Sequence, residues 1–225
     1  LLYTSSEILI CILAIALLSN WAFSYQSLRP FYAILAKGAQ TYWEGMIMLI
    51  GDRVTLRALT REDLSRQWAF NNDLAFELAG GGDPPMPQSF ERLLADFDQR
   101  VGQGGRNGED FAIDVAGVYI GSCGLFNLDP VAHTCELGIG IGDPAYRGKG
   151  YGQEAIQLLL SYAFLHQNRH KVWLTTHSAN QAAIRAYLAC GFREEGRQRE
   201  QVWSNGAYHD CVLMGILRNE WQLLS

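Results

Sequence analysis

The chain has 225 residues, 48% hydrophobic and 18% charged, which is the make-up of a globular protein long enough for one domain with a sizeable core. Its formal net charge of −5 argues against sequence-independent nucleic-acid binding, which needs a basic surface to displace counterions, and suits a cationic substrate such as an amine. The five cysteines are an odd number with no CxxC pair and no metal-ligand spacing, so a reduced, cytoplasmic protein without a metal is expected.

In chain order, Ile8 to Leu18 form an uncharged apolar run. The run is short for a spanning helix, which needs roughly 20 apolar residues, and no basic residue precedes it as in a secretory signal. The chain opens on Leu1, and Met46 and Met48 stand just before the first domain-like segment. Residues 1–47 are therefore expected to be a hydrophobic N-terminal extension, and 48–225 the functional domain. The alternatives are a membrane contact through residues 8–23, or a helix that packs on the domain.

Arg53 to Leu59 alternate apolar and polar residues, as a half-buried strand does, and Thr60 then caps a helix whose first turn carries Glu62 and Asp63. The Gly- and Pro-rich stretch Gly80 to Pro87 predicts a loop, and Gln88 to Val101 a second helix with Phe90, Leu93, Leu94 and Phe97 on one face. A hairpin follows, Phe111 to Val115 and Val118 to Phe126, then a strand from Thr134 to Ile141. Beyond it the pattern reads as helix Gly150 to His166, strand Lys171 to Thr176 and helix Asn180 to Cys190. Closing strands run from Phe192 to Trp203 and Tyr208 to Leu217, with Asn205-Gly206 as their turn. Strands in a run, then helix, strand, helix and hairpin, predict an α/β protein with a mixed sheet.

One constellation points to chemistry. In Glu136-Leu-Gly-Ile-Gly-Ile-Gly142, Leu137, Ile139 and Ile141 share one face, and the glycines leave the other without side chains. Such a strand marks a close approach, either by an extended amide-bearing ligand added like a strand, or by bulky neighbours from within the protein. The loop Arg147-Gly-Lys-Gly-Tyr-Gly152 then opens a helix, where free N–H groups and the helix dipole suit a diphosphate. It matches neither the dinucleotide fingerprint nor the nucleotide P-loop.

With Asn180-Gln-Ala-Ala-Ile-Arg-Ala-Tyr-Leu-Ala-Cys-Gly-Phe192 as a second motif, the chain resembles the GNAT superfamily of N-acetyltransferases from about Ile50 to Trp221. Within it the resemblance is to the group typified by the ribosomal-protein acetyltransferases RimJ and RimL. It implies a mostly antiparallel twisted sheet, splayed at the cofactor strand and flanked by about four helices. It further implies acetyl-CoA as co-substrate, its arm beside Ile139, Gly140 and Ile141, and its diphosphate at Arg147, Gly148, Lys149, Gly150, Tyr151 and Gly152. Asn180 would bond the arm, although its place also suits a helix cap. Tyr187 would protonate the departing thiolate, with core packing as its plainer role. Glu136 would take a proton from the ammonium; a surface glutamate at a strand start is the alternative.

The expected reaction is direct transfer in a ternary complex, first to a peptide or protein N-terminal amine. A polyamine or aminoglycoside acceptor is the alternative, and a non-catalytic acyl-CoA-binding module lies further off. Acetyl-CoA and a peptide or small-molecule amine are the expected partners, a second copy in a homodimer is a further candidate, and nucleic acid is not expected.

Overall fold

The computed structural model describes residues 49–80, 85–103 and 109–223. The expectations for residues 1–47, including membrane contact through 8–23, lie outside the described residues, as does the tip of the Gly80 to Pro87 loop. Among the described residues no helix is long and apolar enough to cross a membrane.

The strands are β1 (Leu49–Ile50), β2 (Thr55–Arg57), β3 (Glu109–Val115), β4 (Val118–Asp129), β5 (Thr134–Ile141), β6 (Lys171–His177), β7 (Arg193–Ser204) and β8 (Ala207–Leu217). They form one sheet in the order β1-β2-β3-β4-β5-β6-β8-β7. Every neighbouring pair is antiparallel except β5 and β6, as a mixed, mostly antiparallel sheet requires. Both hairpin turns are built from two consecutive residues at positive φ, Ala116 with Gly117 and Asn205 with Gly206, which matches the twist of the strands they join.

The helices are α1 (Leu64–Asn71), α2 (Leu74–Gly80), α3 (Phe90–Gln103), α4 (Tyr151–Ser161), α5 (Gln181–Ala189) and α6 (Arg218–Gln222). The short helices α2 and α6 add to the four expected. Helix α4 continues as a π-helical turn over Tyr162–His166, which sinks Tyr162 and Phe164 beside Phe111 and Trp221.

Ala155, Ile156, Leu159 and Leu160 of α4 are buried with Cys135 and Leu137 of β5, Val172 and Leu174 of β6, and Val212, Met214 and Ile216 of β8. Each fully buried aliphatic side chain in this layer contributes roughly 1.5–3 kcal/mol of transfer free energy. This core fixes the start of α4 against the middle of the sheet.

Two local expectations are corrected. The strand expected over Arg53 to Leu59 is only Thr55–Arg57, because the N–H groups of Arg53 and Val54 donate to the Glu154 carboxylate of α4, at 2.7 and 3.0 Å, instead of to a ladder. Burial works against that carboxylate's charge, but these N–H groups and the Arg53 guanidinium outweigh it and hold its pKa below the usual range. The second is how Thr60 caps: it is the N-cap, as expected, of the turn Arg61–Asp63 that leads into α1, within a capping box. Its hydroxyl donates to Asp63 (3.1 Å), as does its N–H (2.9 Å), since the Asp63 carboxylate is buried and also grips Arg57 at 2.7 and 2.9 Å.

Candidate active site

Strand β5 pairs with β6 only at Thr134–Lys171, Cys135–Val172 and Glu136–Trp173; beyond that the two strands part. The N–H of Gly142 donates to Ile120 O on β4 (2.9 Å), and backbone groups alternate in direction along a strand. Leu137, Ile139 and Ile141 therefore turn their N–H and C=O groups to the β6 side, where the Leu137 N–H closes the last rung with Trp173 and those beyond it face the gap, whereas Gly138 and Gly140 turn theirs to β4. Gly140 thus offers no edge donor, and the polar edge belongs to its neighbours.

The glycine face of β5 is not open. A Cβ at Gly138 would lie 2.9 Å from the Phe126 ring, one at Gly140 would lie 2.7 Å from Phe76 of α2, and one at Gly142 would overlap Phe70 of α1. Of the two readings the sequence allowed, close approach by bulky neighbours is the one these side chains fulfil. Space for an extended ligand lies along the strand's edge.

At the C-terminal end of β5, the Pro144–Tyr146 turn leads into α4, with the Asp143 carboxylate accepting from Ala145 N (2.9 Å). Gly148 (φ +71°) and Gly150 (φ +87°) hold left-handed conformations that L side chains rarely adopt, and Gly150 is the N-cap of α4. Arg53 buttresses the loop from behind, donating to Lys149 O (3.1 Å) and lying 5.0 Å from the Tyr151 ring centroid. Tyr151 and Gly152 sit in the first helical turn, where N–H groups have no intrahelical acceptor, and Lys149 is exposed beside them. Backbone so arranged can cradle an anion. A shallow cleft of about 340 Å³ lies next to it, between Arg53, Gly150, Gln153 and Cys190.

The Arg147 side chain departs from expectation. Its guanidinium folds back onto the end of β5, donating to Ile141 O (2.8 Å) and Gly142 O (2.7 Å), and lies over Phe76 of α2. Asn180 is equally engaged. Its Oδ1 accepts from Ala183 N at the start of α5 (3.2 Å), and its Nδ2 donates to Ala79 O (2.8 Å). The capping role therefore uses one lone pair of this amide and α2 one of its N–H groups, which leaves one donor and one lone pair unspent.

Tyr187 lies on α5 with 7% of its surface exposed and its ring 5.9 Å from Phe192. Burial pushes its phenol up to about 12, with the nearby Cys190 adding a smaller push. The ring packs on Phe192, and the hydroxyl stays protonated across the neutral range. Glu136 stands where β5 and β6 part, half-buried, and accepts from Asn127 Nδ2 at 2.6 Å.

Helix α2, whose Phe76 covers Gly140, is the element that pattern reading missed. Its terminal carbonyls are held from three directions: Ser204 Oγ donates to Leu78 O (3.0 Å), while His177 Nε2 and Asn180 Nδ2 meet Ala79 O at 3.1 and 2.8 Å. A carbonyl only accepts, so His177 carries its proton on Nε2, and its buried Nδ1 has no partner among the described residues. The signal was present but small: Asp73, whose carboxylate accepts from Ala75 N (3.0 Å), opens a run too short for helical periodicity to register.

The model of an acetyltransferase (GNAT) domain matches residues 53–193. The chain is 30% identical to a spermidine N(1)-acetyltransferase of Vibrio cholerae over 76% of its own length and 97% of that protein. It is 32% identical to the N-alpha-acetyltransferase RimI of Mycobacterium tuberculosis over 68% of its length and 87% of that protein. A crystal structure of the Vibrio cholerae spermidine N-acetyltransferase in complex with CoA and spermine superimposes with a TM-score of 0.69 at 29% identity. That match covers 76% of this chain and 99% of that one. With the splayed pair of strands and the glycine loop opening α4, these matches show that the chain belongs to the GNAT family and is an acetyl-CoA-dependent N-acetyltransferase.

Proposed function

We propose that this enzyme acetylates a primary amine of an aliphatic polyamine. The observation that carries this reading is the match along 97% of a spermidine N(1)-acetyltransferase, reinforced by the likeness to a related enzyme in complex with spermine. A half-buried carboxylate, Glu136, at the parting of β5 and β6 suits a cationic acceptor. A peptide α-amine, the acceptor of a RimJ/RimL-like enzyme, is the second reading, favoured by the match to an N-alpha-acetyltransferase. Cys123, Cys190 and Cys211 are free thiols, which fits work in the reducing cytoplasm.

In this reading the diphosphate of acetyl-CoA rests on the N–H groups of Gly148 to Gly152 beside Lys149, and the acyl arm runs along the edge groups of Leu137, Ile139 and Ile141. Glu136 takes a proton from the ammonium, directly or through water, and the free amine attacks the thioester carbonyl. The Ile139 N–H supports the oxyanion, and holding both reactants in line supplies much of the acceleration.

Tyr187 then meets the sulfur. Full transfer from a phenol at about 12 to a free thiolate near 8.5 is uphill by about 5 kcal/mol, so Tyr187 acts as a hydrogen-bond donor while charge builds on sulfur, and the second proton of the attacking nitrogen passes to the departing thiolate as the intermediate collapses to amide and thiol. Thiol release from acetyl-CoA, measured with spermidine, spermine and N-terminal peptides, tests the acceptor. Release with the polyamines at well over the peptide rate is expected. Release with peptides alone moves the enzyme to the second reading, and release with neither overturns both.

A further inference from the structure

Asn127 is the one residue whose side chain meets Glu136 in a hydrogen bond among the described residues, and the backbone around it is irregular. The β4–β5 register slips between Phe126 and Asp129, and Asn127 sits at φ +45°, where a non-glycine residue is uncommon and Asn is among the most tolerated. Such an irregularity re-aims a side chain, and strain of this kind collects at functional sites. Here it turns the Asn127 amide onto Glu136 Oε2 at 2.6 Å. Phe126, opposite Glu136 in the register, lies across Gly138, and Trp173 is the register partner on the other side. Asn127 itself is exposed, so its amide buries nothing by making this bond.

We propose that Asn127 is a positioning residue for catalysis: it fixes Oε2 of Glu136 and so leaves Oε1 to accept the proton of the incoming ammonium. This rests on the reading of Glu136 as the base.

The test is a double-mutant cycle on the full chain, with steady-state kinetics for both substrates. Asn127→Gly keeps the positive φ at no cost and removes the amide, so it separates aim from fold. It is expected to lower kcat about tenfold while the KM for acetyl-CoA stays within about twofold, a part of the 10²–10⁴-fold that general base catalysis supplies. Asn127→Asp keeps shape and backbone tolerance but faces one carboxylate with another; it should be slower than Asn127→Gly, an order that a merely structural role would reverse. In a Glu136→Gln background, Asn127→Gly should cost nothing further.

A wild-type kcat for Asn127→Gly beside a slow Glu136→Gln overturns the positioning role and leaves Glu136 as base. A loss from Asn127→Gly that persists undiminished in the Glu136→Gln background also overturns it. A wild-type kcat for Glu136→Gln removes the base itself, and the role of Asn127 with it.

Discussion

The two sides of the gap between β5 and β6 are built differently. On the donor side the groups that would meet acetyl-CoA are main-chain N–H and C=O groups, set by Gly148 and Gly150 at positive φ and by the free edge of β5. On the glycine face of β5, where we propose the acceptor enters, the cover is made of side chains from distant segments. Phe70 and Phe76 lie on the glycine face, and His177, Asn180 and Ser204 hold the end of α2. A backbone site leaves a local trace in sequence, because glycine is placed where nothing else fits. A side-chain site assembled over a hundred residues leaves none.

That contrast explains what was legible. The sheet, the helices α4 and α5, and the glycine loop follow from period-2 and helical spacing with strong turn signals such as Asn205-Gly206. The bare face of β5 was visible too, but which bulky groups covered it was not, since Phe76 lies 64 positions before Gly140. Asn180 and Arg147 show the same limit. Their places in the motifs were readable, while their partners, Ala79 O for one and Ile141 O and Gly142 O for the other, depend on how non-adjacent segments meet. Helix α2 is seven residues long and ends beside the Gly-rich loop, so local propensity scarcely distinguishes it from that loop.

Substitutions can set the two sides apart. The largest expected effect is on chemistry: Tyr187→Phe should lower kcat about 100-fold while calorimetry finds acetyl-CoA affinity nearly unchanged. An unchanged kcat would reduce Tyr187 to a packing residue beside Phe192. Next is the donor cradle. Gly150→Val puts a β-branched residue at φ +87° with its Cβ 3.1 Å from Arg53 Nη2, which should weaken acetyl-CoA binding by about 1–3 kcal/mol, roughly 5- to 150-fold. Wild-type affinity in that variant would mean the loop does not hold the diphosphate.

Smaller still is the acceptor cover. Phe76→Ala should raise the acceptor KM about fivefold, since an α2 without its ring on Gly140 loses its seat, yet change acetyl-CoA affinity less than twofold. Equal losses on both sides would break the separation.

Acid stability gives a fourth check, on the scaffold beneath α1. Burial opposes the Asp63 charge, but Arg57 and the N–H and hydroxyl of Thr60 outweigh it and hold the carboxyl below its ordinary value. A depressed carboxyl stabilises the fold above the unfolded value, near pH 3.9, and that contribution is lost as pH falls through the folded value. Asp63→Asn should cost about 3 kcal/mol at neutral pH by urea titration, with the difference from the parent shrinking below about pH 4. A constant difference down to pH 2 would show that shape, not charge, is what Asp63 supplies.

The most direct test of a donor site made of main-chain groups at the start of α4 is a comparison of acetyl-CoA with S-acetylpantetheine by calorimetry. The truncated donor keeps the thioester and arm but lacks the diphosphate. The structure predicts that it binds at least about 100-fold more weakly, and that this difference collapses in the Gly150→Val variant. Equal affinities for the two donors would contradict the assignment of the Gly148 to Gly152 cradle to the diphosphate.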